Sequence, residues 1–203
     1  MFNYNIKHQD SYSRGEAILR ALFGWIYIGI PHLFLLYFVV LAFTGLNIVA
    51  FWITLFTGKL PKLYFDLFVG TNLWAYRVIA SLNGLADKYP SFGFDSSKED
   101  RVTYELEYIE NYPQGQVLLV ALFGWLYVGV PHGVILIFRF IWVTILKFVA
   151  FWVVLFTGNF PASWHKFIVN TYRWNERVVQ YLYLVRVKYP PFNGLPDDEQ
   201  DDQ

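Results

Sequence analysis

Ala21-Leu-Phe-Gly-Trp25 opens, and Leu55-Phe-Thr-Gly58 closes, an apolar stretch in which Arg20 is the single charge between residues 17 and 57. The same words return 100 residues later as Ala121-Leu-Phe-Gly-Trp125 and Leu155-Phe-Thr-Gly158, around a run from 116 to 157 whose only charges are Arg139 and Lys147. Pro31-His32, Phe51-Trp52, Trp74, Arg77 and Lys88-Tyr-Pro90 recur as Pro131-His132, Phe151-Trp152, Trp174, Arg177 and Lys188-Tyr-Pro190. From 21 to 94, about 32 of 74 positions match their partner without a gap. An apolar segment beyond roughly 18 residues is a candidate membrane span. Each run here is about twice that length, so the fold turns on how one repeated apolar unit is laid out.

Composition agrees with a membrane setting. The chain is 56% hydrophobic and 16% charged, against roughly 45–50% and about 25% for a soluble domain. Zero net charge points to no nucleic-acid partner, and the absence of cysteine excludes disulfides, thiolate chemistry and palmitoylation. The first run follows Asp10 and Glu16 and shows no small-residue cleavage site, so it reads as a retained membrane segment rather than a signal peptide.

The repeat divides the chain into a first membrane unit (1–94), a polar acidic connector (95–113), a second membrane unit (114–194) and an acidic, disordered tail (195–203). The connector holds Asp95, Glu99, Asp100, Glu105, Glu107 and Glu110. In each unit Thr-Gly followed by proline, at Thr57-Gly58 with Pro61 and at Thr157-Gly158 with Pro161, is a helix stop. An amphipathic helix follows, over 62–86 and 162–186. Its polar stripe is Asp66, Gly70, Arg77, Ser81 and Lys88 in one unit, and Lys166, Asn170, Arg173, Arg177 and Gln180 in the other. A narrow basic stripe on a broad apolar helix predicts a place in the headgroup region, with packing on protein as the alternative. Arg77, Arg177, Lys166, Arg173, Trp74 and Trp174 are therefore the candidate lipid or partner contacts.

Each run is long enough for two spans of ~20 residues, and a turn at 39–47 accommodates Thr44-Gly-Leu-Asn47, Arg139 and Lys147. The expected fold is an all-α integral membrane protein, each half a transmembrane helical hairpin plus an amphipathic interfacial helix. The alternative is one long tilted helix per half, starting near Pro31 or Pro131 after an interfacial helix. Lysine and arginine mark cytoplasmic flanks, which places both halves the same way up in a multi-pass bacterial inner-membrane protein.

Ionisable groups in an apolar run are functional candidates, so His32, His132, Arg139 and Lys147 stand out. No carboxylate lies in either run and neither histidine has a second ligand three or four residues on, whereas zinc needs three or four. A proton relay or metal pair is thus set against a structural role, in which each histidine satisfies carbonyls freed by the adjacent proline or reaches the headgroups. For Arg139 and Lys147, holding an anion is set against snorkelling at the turn. No nucleophile, base and acid assemble in the sequence, so neither an enzyme nor a cofactor is expected.

Ile30-Pro-His32, Leu55-Phe-Thr-Gly58, Pro61, Trp74, Arg77 and Tyr89-Pro90, with their second set ending in Tyr189-Pro-Pro-Phe192, resemble the bacterial membrane-protein family catalogued as domain of unknown function 4389. The resemblance covers about 80 residues of each half and implies membrane residence, without an activity, cofactor or catalytic residue. The function expected from residues and resemblance together is a non-catalytic membrane protein that binds lipids and other membrane subunits, or itself, as an accessory or scaffold. A membrane-shaping hairpin protein and a small transporter are the alternatives.

Overall fold

The computed structural model describes residues 1–95 and 101–197. Glu99, Asp100 and the tail 198–203 lie outside the described residues. A strand, β1 (Phe2–Ile6), leads into one continuous helix, α1 (Arg14–Thr57), and then α2 (Lys62–Leu82). The second half repeats the order as β2 (Val102–Leu106), α3 (Gln114–Thr157) and α4 (Ala162–Leu182). Helix dominates, and α1 and α3 are each long and apolar enough to cross a membrane.

Local chemistry sets the ends of these helices. The Ser13 hydroxyl accepts the Glu16 N–H and caps α1. Both long helices stop at a glycine in the left-handed region, Gly58 at φ 68° and Gly158 at φ 76°, as the Thr-Gly signal predicts. The expected hairpin turn at 39–47 is absent, which corrects the four-span layout: α1 runs through it, and the Thr44 hydroxyl donates to the Val40 carbonyl inside the helix. One interior glycine costs only ~0.5–1 kcal/mol relative to alanine, too little to break a 44-residue helix. The long-helix alternative fits better, but its leading interfacial helix is the first part of the same rod. The rod widens into one π turn, Trp25–Gly29 in one half and Trp125–Gly129 in the other, just before the proline. A proline ring crowds the carbonyl four residues back and supplies no N–H, and the wider turn makes room for it.

Ala17, Arg20, Gly24, Ile28, Gly29, His32, Leu36, Ala50 and Thr54 are the buried positions of α1. With half-buried Val39, Phe43, Leu46 and Asn47 bridging Leu36 to Ala50, they form one stripe along the helix. Within the most apolar stretch of α1 and of α3, only 17% and 22% of residues are buried; a core helix of a soluble domain is mostly buried. The outer faces carry exposed Leu22, Trp25, Phe34, Phe38, Trp52 and Phe56, and Leu122, Trp125, Phe138, Trp142, Phe148 and Phe156.

Three layers result. α2 lies antiparallel beneath α1, with Phe43 and Tyr64 stacked at 5.2 Å, and α4 lies likewise beneath α3. α2 and α4 touch through Tyr76 and Tyr172 and through the Tyr64 hydroxyl on the Tyr183 carbonyl. Their far side carries the ribbon of β1 and β2, where Tyr4 packs at 4.8 Å on Tyr76. This corrects the lipid-facing role of the polar stripes: Arg77, Ser81, Arg173, Arg177 and Gln180 are buried under the ribbon and the segments that follow each helix. The expected connector also contains β2, a full partner of β1.

The ribbon pairs Phe2 with Leu106, Tyr4 with Tyr104 and Ile6 with Val102, antiparallel. Tyr4 and Tyr104 are equivalent positions of the repeat, so a two-fold axis perpendicular to the ribbon passes between them and exchanges the halves. Reciprocal bonds obey it. The Tyr12 N–H donates to the Gly158 carbonyl at 2.8 Å, and the Tyr112 N–H to the Gly58 carbonyl at 2.7 Å. Arg14 reaches the Phe156 carbonyl and Gln114 the Phe56 carbonyl. α1 and α3 therefore run antiparallel, the start of each beside the end of the other.

Candidate functional site

His32 and His132 each sit at the centre of a contact with three aromatic side chains, and the arrangement occurs twice. The Trp74 indole N–H donates to His32 Nδ1 at 2.9 Å, and Trp174 does the same to His132. Phe92 stacks on the His32 ring at 3.8 Å, Phe192 on His132 at 4.0 Å. Tyr89 and Tyr189 lean on the same rings, and their hydroxyls donate to the Tyr27 and Tyr127 carbonyls. Those carbonyls lie four residues before Pro31 and Pro131, so tyrosine, not histidine, satisfies the group the proline frees. Both histidines are fully buried, which corrects the headgroup alternative. Accepting at Nδ1 fixes the proton on Nε2, and that atom has no partner among the described residues. Trp74 and Trp174 are buried as well, so they are not lipid contacts.

The arginines expected to meet lipid phosphate instead hold backbone. Arg77 donates to the Gly93 carbonyl at 3.2 Å and to that of Asp95. Arg177 donates to the Asn193 and Leu195 carbonyls and, at 2.5 Å, to the Asp197 carboxylate. Arg186 adds a second contact to Asp197 at 3.7 Å. Arg173 bonds the Tyr4 carbonyl and that of Gly194. A buried guanidinium needs partners, and segments carrying several free carbonyls supply them. Burial lowers the Arg177 pKa to about 10, and the Asp197 charge opposes the shift. Burial works against the Asp197 charge, yet the Phe2 N–H, Arg186 and Arg177 together hold its pKa below the ordinary value. Residues 195–197, expected in a disordered tail, are thus clasped to the body. Lys166 alone of the six expected contacts remains exposed.

Arg139 and Lys147 also turn inward, which corrects snorkelling. Arg139 donates twice to the Thr171 hydroxyl and lies over the Phe167 and Trp174 rings. Lys147 donates to Asn83 Oδ1 at 2.7 Å in a cavity of about 470 Å³ lined by Ala17, Ala21, Leu82, Phe148 and Phe151. The two-fold mate of this cavity holds about 160 Å³, with Tyr183 and Leu184 standing where Asn83 and Gly84 leave space. The cavity therefore departs from the symmetry of the rest.

Sequence reasoning missed a polar cluster on the two-fold axis. Glu176 is the repeat mate of Tyr76, and both are buried. The Tyr76 hydroxyl donates to Glu176 Oε2 at 2.9 Å and the Tyr104 hydroxyl to Oε1 at 2.6 Å. Gln180 donates to Tyr104. Burial raises the Glu176 pKa to about 7, with the two phenols opposing the rise. Its signal in the sequence was alternation, Phe2-x-Tyr4-x-Ile6 matched by Val102-x-Tyr104-x-Leu106. Among the described residues, no group of three histidine or carboxylate side chains is placed to hold a metal.

Comparison of the chain with family models, curated proteins and solved structures finds no match.

Proposed function

We propose that this chain is a membrane-embedded, non-catalytic protein that binds lipid and neighbouring membrane subunits as a scaffold or accessory component. One observation carries the reading. The exposed faces of α1 and α3 between 17 and 57 and between 116 and 157 carry no charge, while Arg20, Arg139 and Lys147 on the same helices turn to protein partners. Soluble monomers keep their largest apolar patch to roughly 300–600 Å²; two rods exposed along this length far exceed it, and hydrocarbon is the medium that covers them without cost. A bacterial inner membrane and kinship with the family of domain of unknown function 4389 belong to the same proposal and rest on the sequence motifs.

High-pH carbonate washing of membranes containing the protein tests the embedding: retention in the pellet is expected, and release into the wash contradicts it. For the scaffold half, purification in mild detergent is expected to yield a larger assembly, and a lone monomer without partner or self-association contradicts it. A membrane-shaping role gains from one feature: the apolar rods lie on one side of the body and the ribbon, with its polar outer face, on the other. Purified protein added to liposomes then tubulates them, and unchanged vesicles dismiss that role. Transport gains nothing comparable, because the charged groups of the rods, Arg20, Arg139 and Lys147, are spent on internal bonds.

A further inference from the structure

We infer that α1 and α3 lie flat in one leaflet of the bilayer, side by side, and do not cross it. The inference rests on the membrane embedding proposed above and adds its geometry; the occupant of the apolar face is the hydrocarbon of a single leaflet.

Length is the first ground. Residues 17–57 form an apolar run that spans about 62 Å at 1.5 Å per residue. Fitting it across a ~30 Å core needs a tilt near 60°, beyond the roughly 0–40° that spanning helices adopt. The buried stripe runs from Ala17 to Thr54, so the rod rests on the protein body along its full length and no part stands clear as a separate span.

Symmetry is the second and independent ground. If α1 and α3, which run antiparallel, crossed the bilayer, the two-fold axis relating them would lie in the midplane. Whatever sits on that axis would sit at mid-depth. What sits there is the ribbon, centred on Tyr4 and Tyr104, with Asn3, Asn5 and Glu105 exposed on its outer face. The Asn3 amide donates to the Glu105 carboxylate at 3.0 Å, and the N-terminal ammonium pairs with Glu107 on the surface. Charged side chains at the bilayer centre are costly and rare, and irregular backbone facing lipid at that depth is not tolerated. Turning the axis along the membrane normal removes every conflict. The ribbon then stands in water, α2 and α4 come at the headgroups, and a layer one helix thick, about 10 Å, fits within half of the ~30 Å core. Both ends of each rod emerge on the same side.

The natural chain has no cysteine, so single-cysteine variants report cleanly. Asn3→Cys marks the ribbon, Gly15→Cys the start of α1 and Lys59→Cys the second residue past its end; all three positions are exposed. Each is expressed in membranes, confirmed to resist carbonate, and treated with a membrane-impermeant maleimide on sealed vesicles of either orientation. All three are expected to react from one and the same face. Reaction of Gly15→Cys and Lys59→Cys from opposite faces overturns the flat placement while leaving the embedding intact. Loss of the parent protein to the carbonate wash overturns the embedding itself.

Discussion

The Tyr89 hydroxyl donates at 3.2 Å to the carbonyl of Tyr27, the acceptor that Pro31 leaves without its helical donor. The bond joins the Pro-His word in α1 to the Lys-Tyr-Pro word 57 residues on, and it recurs between Tyr189 and Tyr127 at 3.1 Å. Two motifs that look independent in the chain are halves of one repair. Tyr89→Phe is expected to cost about 1 kcal/mol, the usual net worth of such a bond. In a Pro31→Ala background the backbone N–H returns and the same change is expected to cost little. A double-mutant cycle by thermal unfolding in detergent checks this; equal costs in both backgrounds would show that the hydroxyl does not serve the proline's vacancy.

Glu176 makes stability depend on pH. Its folded pKa, about 7, lies above the ordinary 4.5, so the folded state binds the extra proton between those values. The contribution is fully present below pH 4.5 and is lost as pH rises through 7, a fall of roughly 3 kcal/mol at 1.36 kcal/mol per unit. Glu176→Gln is neutral at every pH, with a carbonyl that accepts one of the two phenols and an amide N–H that donates to the other, and is expected to flatten the unfolding temperature between pH 5 and 7. A variant that retained the full slope would place its origin elsewhere.

Gly58 and Gly158 hold the left-handed ends of the rods, and each carbonyl receives the crossing N–H of the other half. Gly58→Ala and Gly158→Ala are each expected to destabilise by about 1–2 kcal/mol, the cost of a Cβ in that conformation. Chemical denaturation in micelles measures it, and a neutral outcome would mean the helix end relaxes freely.

Asp197 is the carboxylate partner of Arg177 and Arg186. Removing one partner of a buried pair leaves an uncompensated charge, so Asp197→Ala is expected to cost about 3 kcal/mol. It should also expose the segment after Pro190 to limited proteolysis. Cleavage and stability like those of the parent would remove the clasp from the account.

Much of the fold was legible in the residues. Apolar runs, Thr-Gly-x-x-Pro stops and the 100-residue period gave the helical class, the points where the long helices stop and the repeat. The hairpin failed because composition measures how much apolar chain exists, and not whether Thr44-Gly-Leu-Asn47 bends. The fate of Arg77 and Arg177 was hidden for a different reason. A polar stripe on an apolar helix reads alike whether headgroups or carbonyls face it, and those carbonyls belong to residues 93–95 and 193–195. The strand alternation around Tyr4 and Tyr104 hints at the ribbon, but it does not reach the axial cluster, since Tyr76 and Glu176 are unlike residues whose meeting depends on the two-fold relation.

The placement of the rods is most directly read by polarised infrared dichroism of the unmodified protein in oriented bilayers. α2 and α4 run alongside α1 and α3, so all four helix axes are expected to lie close to the membrane plane. Helix axes gathered toward the bilayer normal would contradict the flat seat and with it the water-facing ribbon.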